Sequence, residues 1–242
     1  MLFRSALEAK DVQAAFLLTR HNQHAEQVIA ALKSGKHCFV EKPLATTVEQ
    51  LEMIRTTLET MKEGSPLLMV GFNRRFSPAA QKLKAFFADR TAPLTIQFRF
   101  NGGEIPADTW IQDDEIGGGR IIGEACHAID TAVYLCGSPV VRVYAESIGG
   151  PNAPEIRDDQ ALITLRHANG SITSVAYLSG GDKAFPKERI EVIGGGRIGL
   201  IDDFRIVETC VGGKLKKEKL GSQDKGHAAE IRAFCDALIA GR

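Results

Sequence analysis

The stretch Lys36-His37-Cys38-Phe39-Val40-Glu41-Lys42-Pro43-Leu44-Ala45 decides the fold, because an apolar run passes directly into a charged pair and a proline. The apolar run Cys38-Phe39-Val40 is typical of a parallel strand covered on both faces. Pro43 fixes φ and lacks an amide hydrogen, so the strand has to end before it. Glu41 and Lys42 then lie at a carboxyl strand end, where open α/β sheets bind ligands. An ordinary surface Glu–Lys pair fits the local sequence equally well.

The composition indicates a globular protein without a general attraction to polyanions. The chain has 242 residues, of which 44% are hydrophobic and 25% charged. Its 30 Lys and Arg balance 30 Asp and Glu, so we predict no nucleic-acid or membrane-surface partner. No apolar run approaches the ~20 residues of a membrane span, and the first residues show no secretory h-region. Five scattered cysteines without a C-x-x-C pair predict a reducing cytoplasm and no metal site.

Buried strands alternate with amphipathic helices in the first part of the chain, which predicts βαβ units. The strands are expected at 11–19, 38–40 and 67–71, and the helices at 25–34 and 48–61. A polar segment follows each strand, at 19–24, 41–43 and 73–75. Because the carboxyl ends of parallel strands share one sheet edge, we expect these segments to face one crevice. This repetition favours a functional role for Lys42.

From residue 94 onward, apolar and polar residues alternate, which predicts a sheet with one covered face. The alternating segments are 94–100, 141–146, 161–166, 171–176 and 189–193. The run His167-Ala168-Asn169-Gly170 predicts a hairpin turn. Helices are expected at 120–135 and 227–240, and the basic run 214–219 is interpreted as a solvated loop.

The segment Gly194-Gly195-Gly196-Arg197-Ile198-Gly199 matches the dinucleotide pattern G-x-G-x-x-G and follows a predicted strand. A dinucleotide loop must also open a helix, whereas residues 200–207 have the composition of further strand. We therefore interpret these glycines as a hairpin turn that needs positive φ.

Three motifs in this order resemble the Gfo/Idh/MocA oxidoreductases, the family of glucose–fructose oxidoreductase and inositol dehydrogenase. They are Asn22-x-His24-Ala25 through Glu41-Lys42-Pro43, then Gly71-Phe72-Asn73-Arg74-Arg75-Phe76, then Gly117-Gly118-Gly119 followed by His127-x-x-Asp130. The resemblance covers nearly the whole chain. It implies an α/β + α+β architecture: a partial Rossmann doubly wound parallel sheet in residues 1–76, then a domain with a mixed, largely antiparallel open-faced sheet in residues 77–242.

The resemblance also implies NAD or NADP as cofactor, a sugar, sugar derivative or cyclic polyol as substrate, and a role for each matching residue. Lys42 would lie beside the nicotinamide and place the substrate hydroxyl, and His127 would exchange the hydroxyl proton. The positions implied at the cofactor are Thr19, Asn22, His24, Glu41, Lys42 and Arg75. Those implied at the substrate are Lys42, Asn73, Trp110 and His127, with Gln112 beside Trp110.

The sequence departs from the family pattern at places that bear on activity. The ten residues before Asp11 are too few for a further βαβ unit of ~30 residues with its phosphate loop. We therefore expect a chain that starts inside the Rossmann domain. We also expect it to stop before the family's usual end. The family's acidic residue four before the histidine is Gly123 here. Glu124 and Asp130 each lie three residues from His127 on a helix, so either could orient its ring in catalysis.

Several hypotheses follow from the sequence. The first is a cytoplasmic NAD(P)-dependent oxidoreductase that forms a homo-oligomer through its second domain. The second is a non-catalytic fragment or interaction module without the phosphate loop. The third is implied by the resemblance: a glycoside hydrolase, since some members of the family use a tightly held NAD in glycoside hydrolysis. His127 could also be a buried core histidine, whereas His21 and His37 are interpreted as solvent-exposed or capping residues.

Overall fold

The fold is described from a computed structural model, which covers residues 2–62, 64–154, 156 and 159–241. The chain divides into two compact units, each assembled from separate parts of the sequence. The first unit comprises Met1–Phe72, Asp108–Gly123 and Ala228–Arg242, and the second comprises Asn73–Ala107 and Glu124–His227. The division of the chain into domains 1–76 and 77–242 stays a prediction.

The described part of the first unit contains a parallel sheet in the order β1-β2-β3. Its strands are β1 (Ala14–Leu17), β2 (His37–Glu41) and β3 (Leu68–Gly71), and its helices are α1 (Leu2–Glu8), α2 (His24–Lys33), α3 (Val48–Glu59) and α6 (His227–Ile239). Helix α2 joins β1 to β2, and α3 joins β2 to β3. The register pairs Leu17 with Val40 and Glu41 with Gly71. The predicted βαβ succession is therefore confirmed, while α1 was not anticipated from the sequence.

Apolar side chains of α2 and α3 cover the strands of this sheet. Leu17, Val28, Cys38, Val40 and Ile54 are among the members of the buried core. Burial raises the pKa of the Cys38 thiol to about 12, so this cysteine is an inert core residue, as its apolar surroundings predict.

Helix α6 packs on the same sheet through aromatic rings. The ring centroid of Phe234 lies 5.4 Å from that of Phe16 and 5.7 Å from that of Phe39. Both contacts are edge-to-face, the arrangement that the ring quadrupoles favour. The last described helix is therefore part of the first unit, although the rest of that unit lies far earlier in the sequence.

The described part of the second unit contains an eight-stranded sheet in the order β11-β10-β9-β8-β4-β7-β6-β5. The strands are β4 (Thr95–Asn101), β5 (Val140–Ser147), β6 (Gln160–His167), β7 (Ile172–Leu178), β8 (Glu188–Gly194), β9 (Arg197–Asp202), β10 (Ile206–Val211) and β11 (Lys214–Lys219). Strands β4 and β7 pair in parallel, and the other pairs are antiparallel. The mixed, largely antiparallel sheet is confirmed.

Helices α4 (Pro78–Phe86) and α5 (Cys126–Cys136) accompany this sheet. The hydroxyl of Ser77 accepts a hydrogen bond from the Ala80 amide and caps α4, which begins at Pro78. The helix expected at 120–135 is divided in two: a π-helical turn, Ile121–Ala125, precedes α5. Gly137 ends α5 with φ +64°, the left-handed conformation that glycine adopts without strain.

Two predictions about the second sheet were wrong, and one was confirmed. The basic run 214–219 is strand β11 rather than a loop. The expected strand over residues 200–207 is interrupted, because Asp203 and Phe204 adopt φ +46° and +56° and turn the chain from β9 into β10. Gly195 and Gly196, with φ +58° and +72°, form the predicted hairpin turn between β8 and β9.

A buried ion network anchors the start of β8. Glu188 is fully buried, and its carboxylate accepts hydrogen bonds from Arg74 Nε at 2.7 Å, Arg74 Nη2 at 2.9 Å and Lys225 Nζ at 2.7 Å. Burial opposes ionisation, but the charges of Arg74 and Lys225 outweigh it, and the pKa of Glu188 is lowered. The network thereby ties the segment after β3 to the segment before α6.

Among the described residues, no helix combines the length and the apolar character needed to cross a membrane.

Glu188→Gln should destabilise the protein by about 3–5 kcal/mol, because the buried Arg74 and the partly buried Lys225 would lose their counter-charge. Since the folded-state pKa of Glu188 is lowered, its stabilisation is complete above the ordinary glutamate pKa and disappears as the pH falls through the lowered value. Urea denaturation at neutral and acidic pH measures both effects. Glu218→Gln, which removes a surface partner of Lys82, is the control and should change stability little. Equal losses of stability in Glu188→Gln and Glu218→Gln would show that the buried network contributes no more than a surface ion pair.

Candidate functional site

Lys42 directly follows β2, and its ammonium group is held in one place. Its Nζ donates a hydrogen bond of 2.6 Å to the backbone carbonyl of Gly123, and the Lys42–Pro43 peptide bond is cis. The acceptor is a neutral carbonyl, so the contact fixes the ammonium without cancelling its charge. The side chain is partly exposed. Lys42 is therefore an oriented cation at the carboxyl end of a parallel strand, as the sequence predicted.

His24 ties the segment after β1 to the segment after β2. It is fully buried, its Nδ1 lies 2.7 Å from the carbonyl oxygen of Pro43, and its Nε2 lies 3.0 Å from that of Thr19. Both ring nitrogens are engaged by the protein. Any contribution of His24 to cofactor binding would therefore act through the positions of these two segments.

His21 is buried, so its interpretation as a solvent-exposed or capping residue was wrong. Only 6% of its surface is exposed, and its Nδ1 lies 2.7 Å from the carbonyl oxygen of Gly117. Its ring meets Trp110 edge-on at 4.9 Å, and the guanidinium of Arg20 lies over the same indole. Burial lowers the pKa of His21, and the charges of Lys42 and His24 lower it further, whereas the Gly117 contact raises it.

The other predicted cofactor residues of the first unit lie near the same strand ends. Thr19 is exposed, and its hydroxyl donates to the side chain of Gln27. Asn22 donates its backbone N–H to the carbonyl of Ile116. The carboxylate of Glu41 accepts a 3.3 Å hydrogen bond from the backbone N–H of Lys42. Thr19 and Asn22 follow β1, and Glu41 ends β2, so the structure brings these residues to one edge of the sheet.

In the second unit, Arg75 and Asp130 form a two-point ion pair. Nε of Arg75 donates to Oδ2 of Asp130 at 3.0 Å, and Nη2 donates to Oδ1. Burial raises the pKa of Asp130 more than the neighbouring Arg75 and Arg74 lower it. The predicted cofactor residue Arg75 is thus paired with the predicted catalytic residue Asp130, and the ring of Tyr134 lies beneath the guanidinium.

Asn73, predicted at the substrate, has its side-chain amide engaged within the second unit. Its Nδ2 donates to the carbonyl of Lys225 at 2.9 Å and lies 3.1 Å from Nε2 of His227. Its Oδ1 accepts from Arg74 at 3.3 Å. Asn73 therefore extends the buried network around Glu188.

Glu124 and His127 lie on successive helical turns, Glu124 in the π-helical turn and His127 in the first turn of α5. The carboxylate of Glu124 accepts hydrogen bonds of 2.5 Å from the Tyr177 hydroxyl and from Lys187 Nζ. His127 is buried, with 6% of its surface exposed. Lys187 and Tyr177 were not anticipated as site residues. The alternation along 171–176 extends to Tyr177 and predicts that this side chain lies on the covered face of the sheet. No pattern in the sequence predicts the contact between Lys187 and Glu124.

The structure therefore groups the predicted residues in two sets. Lys42, Glu41, Asn22 and Trp110 belong to the first unit, and Asn73, Arg75, Glu124, His127 and Asp130 belong to the second. The joint action of Lys42 and His127 stays a prediction. The described residues contain no group of three or more His, Cys, Asp or Glu side chains that could hold a metal ion.

The first unit has a parallel sheet with polar residues at the carboxyl ends of its strands, which is where open α/β sheets bind ligands, and the second unit has a mixed sheet. Residues 3–72 match the sequence model "Oxidoreductase family, NAD-binding Rossmann fold", and residues 91–196 match "GFO/IDH/MocA C-terminal domain". The chain belongs to the Gfo/Idh/MocA family of oxidoreductases.

Individual relatives agree with this assignment. The chain is 27% identical to the uncharacterized oxidoreductase YrbE of Bacillus subtilis over 98% of its own length and 71% of that protein. It is 30% identical to myo-inositol 2-dehydrogenase of Thermotoga maritima over 85% of its own length and 60% of that protein. The crystal structure of an oxidoreductase domain protein from Kribbella flavida shares the fold, with a TM-score of 0.84, 22% identity and coverage of 99% of this chain and 75% of that one.

His24→Leu should reduce the free energy of unfolding by about 1–3 kcal/mol, because the buried ring would lose its polar contacts with the Pro43 and Thr19 carbonyl oxygens and leave at least one of them without a donor. His37→Leu is the control, since His37 accepts a single half-buried hydrogen bond from the Leu67 amide and its loss should be smaller. Urea denaturation of both variants gives the comparison. If His37→Leu lost as much free energy of unfolding as His24→Leu, the contacts of His24 would not be specifically important for stability.

Proposed function

We propose that the protein is an NAD(P)-dependent oxidoreductase that acts on a hydroxyl group of a sugar, sugar derivative or cyclic polyol. The observation that carries the proposal is the oriented ammonium of Lys42 at the carboxyl end of β2, held 2.6 Å from a neutral carbonyl. The relative named myo-inositol 2-dehydrogenase supports the substrate class. The chain spans 60% of that relative, so the activity of the whole protein is part of the proposal.

The residues of the first unit fit the nicotinamide cofactor that the family implies. Oδ1 of Asn22 is buried and has no hydrogen-bond partner within the described residues. A buried acceptor of this kind needs an N–H or O–H donor, and the carboxamide and ribose hydroxyls of NAD(P) are such donors. Asn22 lies just after β1, at the sheet edge where α/β folds bind nucleotides. Thr19, His24, Glu41, Lys42 and Arg75 complete the proposed cofactor set.

The chemistry that the nicotinamide would supply is acceptance or donation of a hydride. The role of Lys42 follows from its charge: an ammonium beside the substrate oxygen lowers the pKa of that hydroxyl and stabilises the developing alkoxide. Because the Gly123 contact already orders the side chain, little reorganisation is required when substrate binds. Asn73 and Trp110 complete the proposed substrate-binding residues.

His127 is proposed to take the proton of the substrate hydroxyl in oxidation and to return it in reduction. An imidazole ring can both accept and donate a proton, so the buried His127 is chemically suited to this exchange. Glu124 and Asp130 are proposed to set the position of His127 through the helix they share with it. The hydrogen bonds from Tyr177 and Lys187 to Glu124 and from Arg75 to Asp130 hold these two carboxylates.

The finer organisation of the protein is also proposed. We infer a cofactor-binding domain over 1–76 and a substrate domain over 77–242, a homo-oligomer formed through the second domain, and a cytoplasmic location. The half-exposed sheet supports the oligomer: β5, at one edge, presents Val141, Val143 and Tyr144 to solvent, and apolar side chains on an exposed edge strand favour association.

Lys42→Met should lower kcat by roughly 10²-fold, because one preorganised electrostatic group is lost from the transition state. The measurement is the absorbance of reduced nicotinamide during oxidation of a panel of sugars and inositols. Lys33→Met, an exposed lysine of α2, is the matched control and should leave kcat unchanged. A normal rate in Lys42→Met would end the proposed role.

Calorimetric titration with NADH and NADPH should show binding in the micromolar range, and Asn22→Ala should weaken it roughly fivefold to tenfold through the loss of one hydrogen bond. Asn152→Ala, at an exposed position of the second unit, is the control. If neither nucleotide binds, the hypothesis of a non-catalytic fragment or interaction module replaces the enzyme.

A further inference from the structure

We propose that His21 is a positioning residue for Lys42, and that it acts through the backbone carbonyl of Gly123. The inference rests on the proposed function only for the catalytic role of Lys42. The three residues form successive contacts within the first unit: the His21 ring lies against Gly123, and the Gly123 carbonyl holds the Lys42 ammonium at 2.6 Å.

The orientation of the His21 ring is fixed by its hydrogen bond. Its Nδ1 lies 2.7 Å from the Gly117 carbonyl oxygen, and a carbonyl only accepts, so Nδ1 carries the hydrogen. The edge-on indole of Trp110, 4.9 Å between ring centroids, blocks a second side of the ring. With 6% of its surface exposed, the imidazole is a rigid support rather than a mobile surface group.

The space beside the ring requires a glycine at position 123. A Cβ at this position would lie 2.9 Å from Cε1 of His21 and 3.5 Å from its Nδ1. The φ of Gly123 is not in the left-handed region, so the constraint is the occupied space and not the backbone conformation. His21 therefore sets how closely the chain at residue 123 approaches the end of β1.

Further contacts attach the segment 108–123 to the same strand ends. The backbone N–H of Asn22 donates to the Ile116 carbonyl at 3.1 Å, and a Cβ on Gly118 would lie 3.2 Å from the side chain of Thr46. These contacts fix the middle of the segment. The His21 contact fixes its end, which is the part that carries the acceptor for Lys42.

The test observes the Lys42 ammonium directly, in the full chain labelled with ¹⁵N at lysine Nζ and without cofactor or substrate. An ammonium ordered by a hydrogen bond gives a resolved NMR signal, which Lys42→Met assigns. Lys36 is an internal reference, because its Nζ donates to the carbonyls of Ala9 and Val12 at 2.7 Å in the same unit.

In His21→Leu, the Lys42 signal should be lost or averaged while the Lys36 signal is unchanged. In His21→Asn, whose amide can replace the Nδ1 donor, the Lys42 signal should return. An unchanged Lys42 signal in His21→Leu would overturn the proposal. Loss of both lysine signals would also overturn it, because it would assign His21 to folding alone.

Gly123→Ala gives an independent test, because the new methyl group would displace the His21 ring and shift the Lys42 signal. Gly149→Ala is the matched control, since a Cβ there meets no atom within 4 Å. An unshifted Lys42 signal in Gly123→Ala would contradict the proposed contact.

A kinetic comparison links the positioning to turnover. His21→Leu should lower kcat about tenfold through misplacement of the Lys42 charge, with the KM for the nucleotide changed less than about twofold, and His21→Asn should restore most of the rate. If His21 had a purely structural role, His21→Leu would change both kcat and KM or neither of them. If the unaltered chain shows no activity, the proposed function fails, and the NMR result still decides the role of His21.

Discussion

The hydrogen bond from the Lys42 ammonium to the Gly123 carbonyl is the contact on which the proposed chemistry depends. It joins the end of β2 to the segment 108–123, which is distant in sequence and yet belongs to the same compact unit. A lysine has four rotatable side-chain bonds, so an unheld ammonium would be spread over many positions at an entropic cost. The acceptor is the dipole of a backbone carbonyl and not a carboxylate, so the charge of the Lys42 ammonium stays available to a reacting oxygen.

Three carboxylates of the second unit are arranged differently, because each of them is paired with a cationic side chain. Glu188 is neutralised by Arg74 and Lys225, Asp130 by Arg75, and Glu124 by Lys187 together with the Tyr177 hydroxyl. Buried charges require such pairing, because desolvation of an isolated ion costs several kcal/mol. Glu124 and Asp130 both lie within one turn of His127 in the sequence, so the pairs fix the helical surroundings of this imidazole without adding net charge.

The periodicity of the sequence predicted most of the fold, whereas long-range contacts set the details that it missed. Continuous apolar runs and helical spacing located β1 to β3 with α2 and α3, and the strict alternation after residue 94 located five strands of the second sheet. Strand β11 was missed because Leu215 is its one apolar residue among charged neighbours. The turn at Asp203 and Phe204 was missed because non-glycine residues seldom adopt positive φ.

In the candidate site, too, local sequence patterns predicted some residues, whereas long-range contacts determined others. Lys42, Asn22 and Glu41 could be predicted because strand ends and motifs mark them. The burial of His21 could not, since it depends on Trp110, Gly117 and Gly123, which the fold brings to it from far along the chain. The network of Asn73, Arg74 and Glu188 likewise joins residues whose proximity no local pattern records.

The parallel pairing of β4 with β7 has a consequence for how the second unit forms. The hairpins β5-β6-β7 and β8-β9-β10-β11 join neighbours in sequence and can assemble locally, whereas β4 lies between β7 and β8 and pairs Thr95 with Ile172 and with Ile193. Closing such large loops slows folding, because chain entropy is lost before the contacts form. Strand β4 is synthesised first and reaches its central place only after β7 and β8 have followed. The side chains of Phe98 and Phe100, which are buried in the folded unit, are exposed until then and favour aggregation of the nascent chain.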